Sequence, residues 1–213
     1  MTPVDVLVAF HRRVLETYSR RTTTALRAAL PLRIALPRVE SFLALNVAKE
    51  VQKDTLVIRR AAEALRHGIA PGSATLRQLF HATQEIDRAF LGKVGGLPIG
   101  IVIRYEEIEP IRLRRIERLL GAAYTILERW PLERGGRAAL RASCSRGELE
   151  QLVHDLLRLY ALETQALSRS LRLPALLVPL REGIARSLYQ VMNDVASRMA
   201  REVTATVYRP GRN

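Results

Sequence analysis

Lysine is nearly missing from this 213-residue chain: three lysines stand against 31 arginines. Cysteine is scarcer still. Cys144 is the only one, which excludes an internal disulfide and a multi-cysteine metal site. Aromatic residues make up 5%, too few for the side-chain layers of a β-sandwich. Long apolar runs are absent too. The stretch PALLVPL at 174–180 is far short of the roughly 20 residues a membrane helix needs. The opening MTPVDVLVAF lacks the basic region and apolar core of a secretory signal. These absences lead to the expectation of a soluble, cytoplasmic protein with no membrane span.

Metal and nucleotide motifs are missing as well. Neither Glu-x-x-His nor His-Glu-x-x-His occurs, and His11, His67, His81 and His154 stand far apart. Gly92-Lys93-Val94-Gly95-Gly96 lacks Walker spacing and has no strand before it. No metal and no cofactor are expected, and nothing around Cys144 marks a nucleophile.

What the chain does have is leucine, alanine and positive charge. Hydrophobic residues form 48%, enough for a core, and the net charge is +13. The excess is spread evenly rather than held in a basic tail, so an anionic partner must be met by a folded surface. A coding bias towards arginine accounts for the arginine-to-lysine ratio on its own. Arginine still brings a rigid fork that grips phosphate or carboxylate in two places.

Residues 37–68 organise the chain. Pro37 suits a first helical turn and Gly68 a helix end, with about eight turns of helical periodicity between them. Leu43, Val47, Val51, Ile58, Ala61, Ala62 and Leu65 share one arc about 100° wide. Asp54 projects into the middle of that arc and Glu50 onto its edge, with Asn46 and Lys53 just beyond. A buried carboxylate must find a cation or donors. Asp54 is therefore expected to be buried and paired with Lys53 or with an arginine from another helix. Asn46, Lys49, Glu50, Lys53 and Asp54 form a candidate interhelical polar site, read either as a structural ion pair or as a working site.

The other segments are helical by the same logic. One helix opens at the capping box Thr2-Pro3-Val4-Asp5 and runs to about Leu30, with Leu7, His11, Val14 and Tyr18 on one side. Another covers Ala74 to Leu91, its core side including Phe80, Thr83 and Asp87. Residues 92–105, with three glycines after Gly92 and a proline, are expected to be an ordered loop that packs its isoleucines or pairs across a dimer. The next helix is expected to begin at Pro110 and end near Trp130, with Arg112, Arg114, Arg115 and Arg118 forming a basic cluster opposite its apolar arc. Residues 133–142 read as a loop. Ser145-x-x-Glu148 is a second capping box, opening a helix to about Leu171. The last helix spans Leu180 to about Val207, with Asp194, Arg198 and Glu202 spaced for successive i,i+4 pairs.

Arg60 and His67 lie near the end of the 37–68 helix at a spacing that resembles the one used by HEPN-type helical ribonucleases. The resemblance covers these two residues and implies acid–base work for the histidine and phosphate steadying for the arginine.

The expectation is one all-α domain, residues 1–213, built as a bundle of about six helices with one Gly-rich ordered loop. The leading functional reading is a non-catalytic protein that binds RNA or DNA backbone through Arg59, Arg60, Arg112, Arg114, Arg115 and Arg118. A helical subunit of a ribonucleoprotein assembly is the natural example. The alternative is a protein–protein assembly subunit or homo-oligomer with no nucleic-acid role. An enzyme with an interhelical polar site, or a HEPN-like ribonuclease, stands third.

Overall fold

Three helix boundaries are chemically enforced, and they set the frame. Thr2 Oγ1 accepts from the Asp5 amide at 3.2 Å while Asp5 Oδ2 accepts from the Thr2 amide at 3.0 Å. This box opens α1 (Pro3–Ala29). Helix α2 (Leu36–Arg66) ends in a Schellman turn. Gly68 takes φ +64°, its amide donates to Leu65 O, and the Ile69 amide donates to Ala64 O at 3.0 Å. Ser145 and Glu148 close the second capping box, at 2.8 and 3.2 Å, and open α6 (Arg146–Ser168).

This computed structural model describes residues 1–29, 36–93, 103–170 and 175–209. Between the helices named above lie α3 (Ser73–Lys93), α4 (Tyr105–Glu128) and α5 (Gly136–Ser143). A 3₁₀ turn, Ala175–Leu180, then leads into α7 (Arg181–Tyr208). The all-α expectation holds, with seven α-helices and no strand among the described residues. Most of the expected Gly-rich loop, 94–102, lies outside them. Ile103, at its end, packs against the core.

Two boundaries differ from the sequence expectation. Helix α4 starts five residues before Pro110, which sits inside it. Glu106 and Glu107 in its first turn suit the positive end of the helix dipole, and Ile108 is buried. Pro110 removes one hydrogen bond to the carbonyl of Glu106, but both residues are exposed, so water can take its place. The stretch 133–142, read as a loop, contributes most of α5, which buries Ala139 and Leu140.

Helices α1, α2, α4, α6 and α7 pack in a closed circuit, each on the next and α7 back onto α1. Helix α3 lies against α2 and α4. One continuous apolar core runs through the circuit. Tyr18 crosses it, donating to Met192 O at 2.8 Å and meeting Tyr160 edge to face at 5.8 Å. No helix among the described residues is long and apolar enough to cross a membrane.

Candidate functional site: a buried charge cluster

Helical spacing brings the polar residues of four helices to one place. On α2, Asn46, Lys49, Glu50, Lys53 and Asp54 follow i, i+3, i+4, i+7 and i+8 and share a face. Thr83 and Asp87 are one turn apart on α3, Arg112 and Arg115 on α4, and Tyr160, Glu163 and Thr164 on α6. All twelve are buried.

Arg115 is the hub. Its Nη1 lies 2.6 Å from Glu50 Oε2 and 3.2 Å from Glu163 Oε2, and its Nη2 lies 2.5 Å from Asp54 Oδ1. The Tyr160 ring sits 5.4 Å beneath the guanidinium. Arg112 joins α3 to α6: Nη1 donates to Asp87 Oδ2 at 2.6 Å, while Nε and Nη2 donate to Glu163 Oε1 at 2.9 and 2.6 Å. Lys53 Nζ lies 2.8 Å from Glu50 Oε1 and 2.6 Å from Asp87 Oδ1, and Lys49 Nζ lies 3.1 Å from Asp87 Oδ1. The two contacts to Asp87 Oδ1 are ion pairs that miss hydrogen-bond alignment, which leaves that oxygen without a directed donor. From α1, His11 Nε2 reaches Asp54 Oδ2 at 2.6 Å. Asn46 stands beside the charges, its amide donating to Thr164 Oγ1 and Tyr160 OH at 3.1 and 3.3 Å.

At four of these groups the opposite charges outweigh burial. Burial alone would push Glu50 up, but Lys53, Arg115 and Lys49 outweigh it and keep its carboxyl well below the usual range. Burial likewise opposes ionisation of Asp87, and Lys53, Lys49 and Arg112 overcome it, so its carboxyl is held low. For Arg112 and Arg115 the facing carboxylates outweigh burial and raise both guanidinium values. Lys53 goes the other way: burial dominates over the attraction of Glu50 and lowers its ammonium value. Tyr105, which donates to Asp87 at 3.4 Å, is pushed up to about 12, first by burial and then by that carboxylate.

The expectation for Asp54 is met: it is 4% exposed and paired with an arginine from another helix. Lys53 engages Glu50 and Asp87 rather than Asp54. The expectation for Arg112 and Arg115 is corrected. They are 2% and 3% exposed and committed to carboxylates, so they are no part of an outer basic surface. The reason is positional: Ile116, Leu119 and Leu120 follow Arg112 at i+4, i+7 and i+8, and Leu119 and Ala123 follow Arg115 at i+4 and i+8. Both arginines therefore lie on the apolar arc. Glu163 was missed by sequence reasoning. It falls three residues after Tyr160 and four before Leu167, on the inner face of α6, and that interruption was the available signal.

Of the remaining expected contacts, Arg59 and Arg114 are exposed, and Arg118 pairs with Asp155 at 2.9 Å. Arg114 and Arg118 line an open groove of about 1170 Å³ between α4 and α6. Arg129 and Arg158 add to its positive charge, but Glu117, Glu148 and Asp155 line it too and nearly balance the four arginines. Arg60 is held by Glu63 at 2.6 Å, and His67 stands exposed in the turn after α2.

No family model, no curated protein and no solved structure matches this chain. The chemistry of its own residues is what defines the site. Four cations (Lys49, Lys53, Arg112, Arg115) meet four carboxylates (Glu50, Asp54, Asp87, Glu163) in a closed interior. Every one of these groups is ion-paired within the cluster. Such an arrangement clamps α2, α3, α4 and α6 to one another.

Proposed function

We propose that this chain is a non-catalytic helical protein that binds the phosphate backbone of RNA or DNA through arginines on its outer helix faces. One observation carries the reading. The buried cluster is neutral within itself, so the whole net charge of +13 lies on the rest of the chain. Positive charge in that amount, most of it on the described helices, attracts a polyanion without reading bases. The members of the sequence-expected set that remain for this role are Arg59, Arg60, Arg114 and Arg118. A helical subunit of a ribonucleoprotein assembly fits the reading.

The test is fluorescence anisotropy with RNA and DNA oligonucleotides of unrelated sequence over a salt series. Similar affinities are expected, with log affinity falling linearly against log salt by about 0.9 per phosphate contact on duplex DNA. Failure to bind at low salt would overturn the reading.

A second reading, an assembly subunit, has its own support. The 3₁₀ turn leaves Leu176 81% exposed and Val178 and Leu180 partly so, an apolar patch of the kind that meets other proteins. Light scattering at rising concentration separates a self-associating chain from a monomer.

A further inference from the structure

Helices α1 and α7 lie side by side, and along their outer seam runs an open groove of about 610 Å³. From α1 it is lined by Thr17, Arg20, Arg21 and Thr24, at i, i+3, i+4 and i+7 on one face. From α7 come Val195, Arg198 and Glu202, and Ala25 and Ala28 of α1 complete the lining. Three guanidiniums thus face one carboxylate, a more positive balance than in the α4–α6 groove.

The partners of these arginines are informative. Arg20 Nη2 lies 3.4 Å from Thr17 Oγ1 and has no carboxylate partner among the described residues. Arg198 was expected to pair with Asp194 and Glu202. Instead its Nε turns to the backbone carbonyl of Asp194 at 3.3 Å, again with no carboxylate partner there. Glu202 leaves its own helix and binds Arg21, Oε2 to Nη1 at 2.5 Å. Its carboxylate occupies the guanidinium as a phosphate oxygen would. The Thr17 hydroxyl, accepting from Arg20, keeps its proton for a further acceptor.

We propose that this groove is where the nucleic-acid backbone sits, with phosphates on Arg20, Arg21 and Arg198, and that Glu202 is an internal competitor displaced from Arg21 when the strand binds. The inference rests on the polyanion reading above and adds a location and a built-in attenuator to it. It also gives Arg20, Arg21 and Arg198 a role that sequence spacing did not assign.

Three exposed-site variants test it by anisotropy on the same oligonucleotides, with circular dichroism confirming that each is folded. Arg20→Ala/Arg198→Ala should weaken binding and lower the salt slope by about two, one per lost contact. Arg134→Ala/Arg137→Ala removes the same charge elsewhere on the exposed surface and should leave the slope unchanged. Glu202→Gln should strengthen binding several-fold with the slope little changed, because the same phosphates are met and only the cost of displacing Glu202 from Arg21 is removed. If the wild type binds but Glu202→Gln changes nothing and the Arg20/Arg198 variant keeps its slope, the groove is overturned and the polyanion reading stands. Equal losses in the two arginine variants also overturn it, because binding then follows net charge alone. If the wild type fails to bind at low salt, the polyanion reading falls and the groove with it.

Discussion

Removing Asp54 is the sharpest test of the cluster. In Asp54→Ala the Arg115 Nη2 loses a partner at 2.5 Å and His11 Nε2 loses one at 2.6 Å. Both helices that Asp54 joins to α2, namely α1 and α4, lose a contact. The charges that remain number four cations against three carboxylates, in a buried site. Breaking a buried pair from one side costs about 3–5 kcal/mol, because the surviving charge stays desolvated and uncompensated. For a chain of this size each kcal/mol moves Tm by about 2–4 °C, so the expected loss is roughly 6–20 °C. Thermal and urea unfolding followed by circular dichroism measure it. Glu63→Ala, which removes a half-exposed partner of Arg60, should leave the transition unchanged. The double variant Asp54→Ala/Arg115→Met removes one charge of each sign. It should be less destabilised than the two single changes summed, with a coupling of about 0.5–3 kcal/mol. Equal stability for Asp54→Ala and Glu63→Ala, or strict additivity in the double variant, would refute the reasoning.

The remaining predictions concern acid and side-chain shape. Glu50 and Asp87 have folded-state values below their ordinary 4.5 and 3.8, so in acid the unfolded chain binds more protons than the folded one. Their stabilisation is fully present above those ordinary values and is lost as pH falls through them towards the folded-state values. The urea midpoint should be flat above about pH 5 and fall below about pH 4, even at about 1 M salt, where surface pairs are screened; a midpoint unchanged down to about pH 3 would contradict this. Lys53→Arg keeps the charge but places a larger planar group where Nζ touches Glu50 and Asp87 and Arg112 already fills the adjoining space. It should cost about 1–3 kcal/mol by overpacking, read from urea unfolding, and a neutral result would show that the site does not need the compact ammonium.

The parts of this molecule that were legible in the sequence share a cause. Asp54 announced itself because a carboxylate interrupting an apolar arc has few inexpensive solutions, and Ser145 and Thr2 because capping chemistry is local. Arg112 and Arg115 were not recognised because arginine is so common here that two inward-facing ones look like part of an outer cluster. Their registry with Ile116, Leu119 and Leu120 was readable, but the local density of charge outweighed it. Glu163 was hidden because α6 has enough apolar residues to look complete without it. Pro110 misled because proline favours a first turn, yet an exposed helix edge tolerates it further in. Helix α5 is only eight residues long, too short for periodicity to emerge between Gly135 and Cys144. Which acid pairs with which base was beyond local spacing: Glu202 lies one turn from Arg198 in sequence but binds Arg21 across the α1–α7 seam.

The two populations of arginine obey different physics, and this separates folding from binding. Arg112 and Arg115 face carboxylates at fixed short distances in a buried interior, where salt has little access. Arg20, Arg114 and Arg198 are exposed and without carboxylate partners among the described residues, so their field extends into solvent and is screened within about a Debye length. Raising salt should therefore release a polyanion while leaving the α2–α3–α4–α6 clamp intact. Because the clamp cancels its own charge, it also adds nothing to the field a ligand meets. The basic surface can then change by substitution on outer faces without disturbing the interior that holds the helices in place.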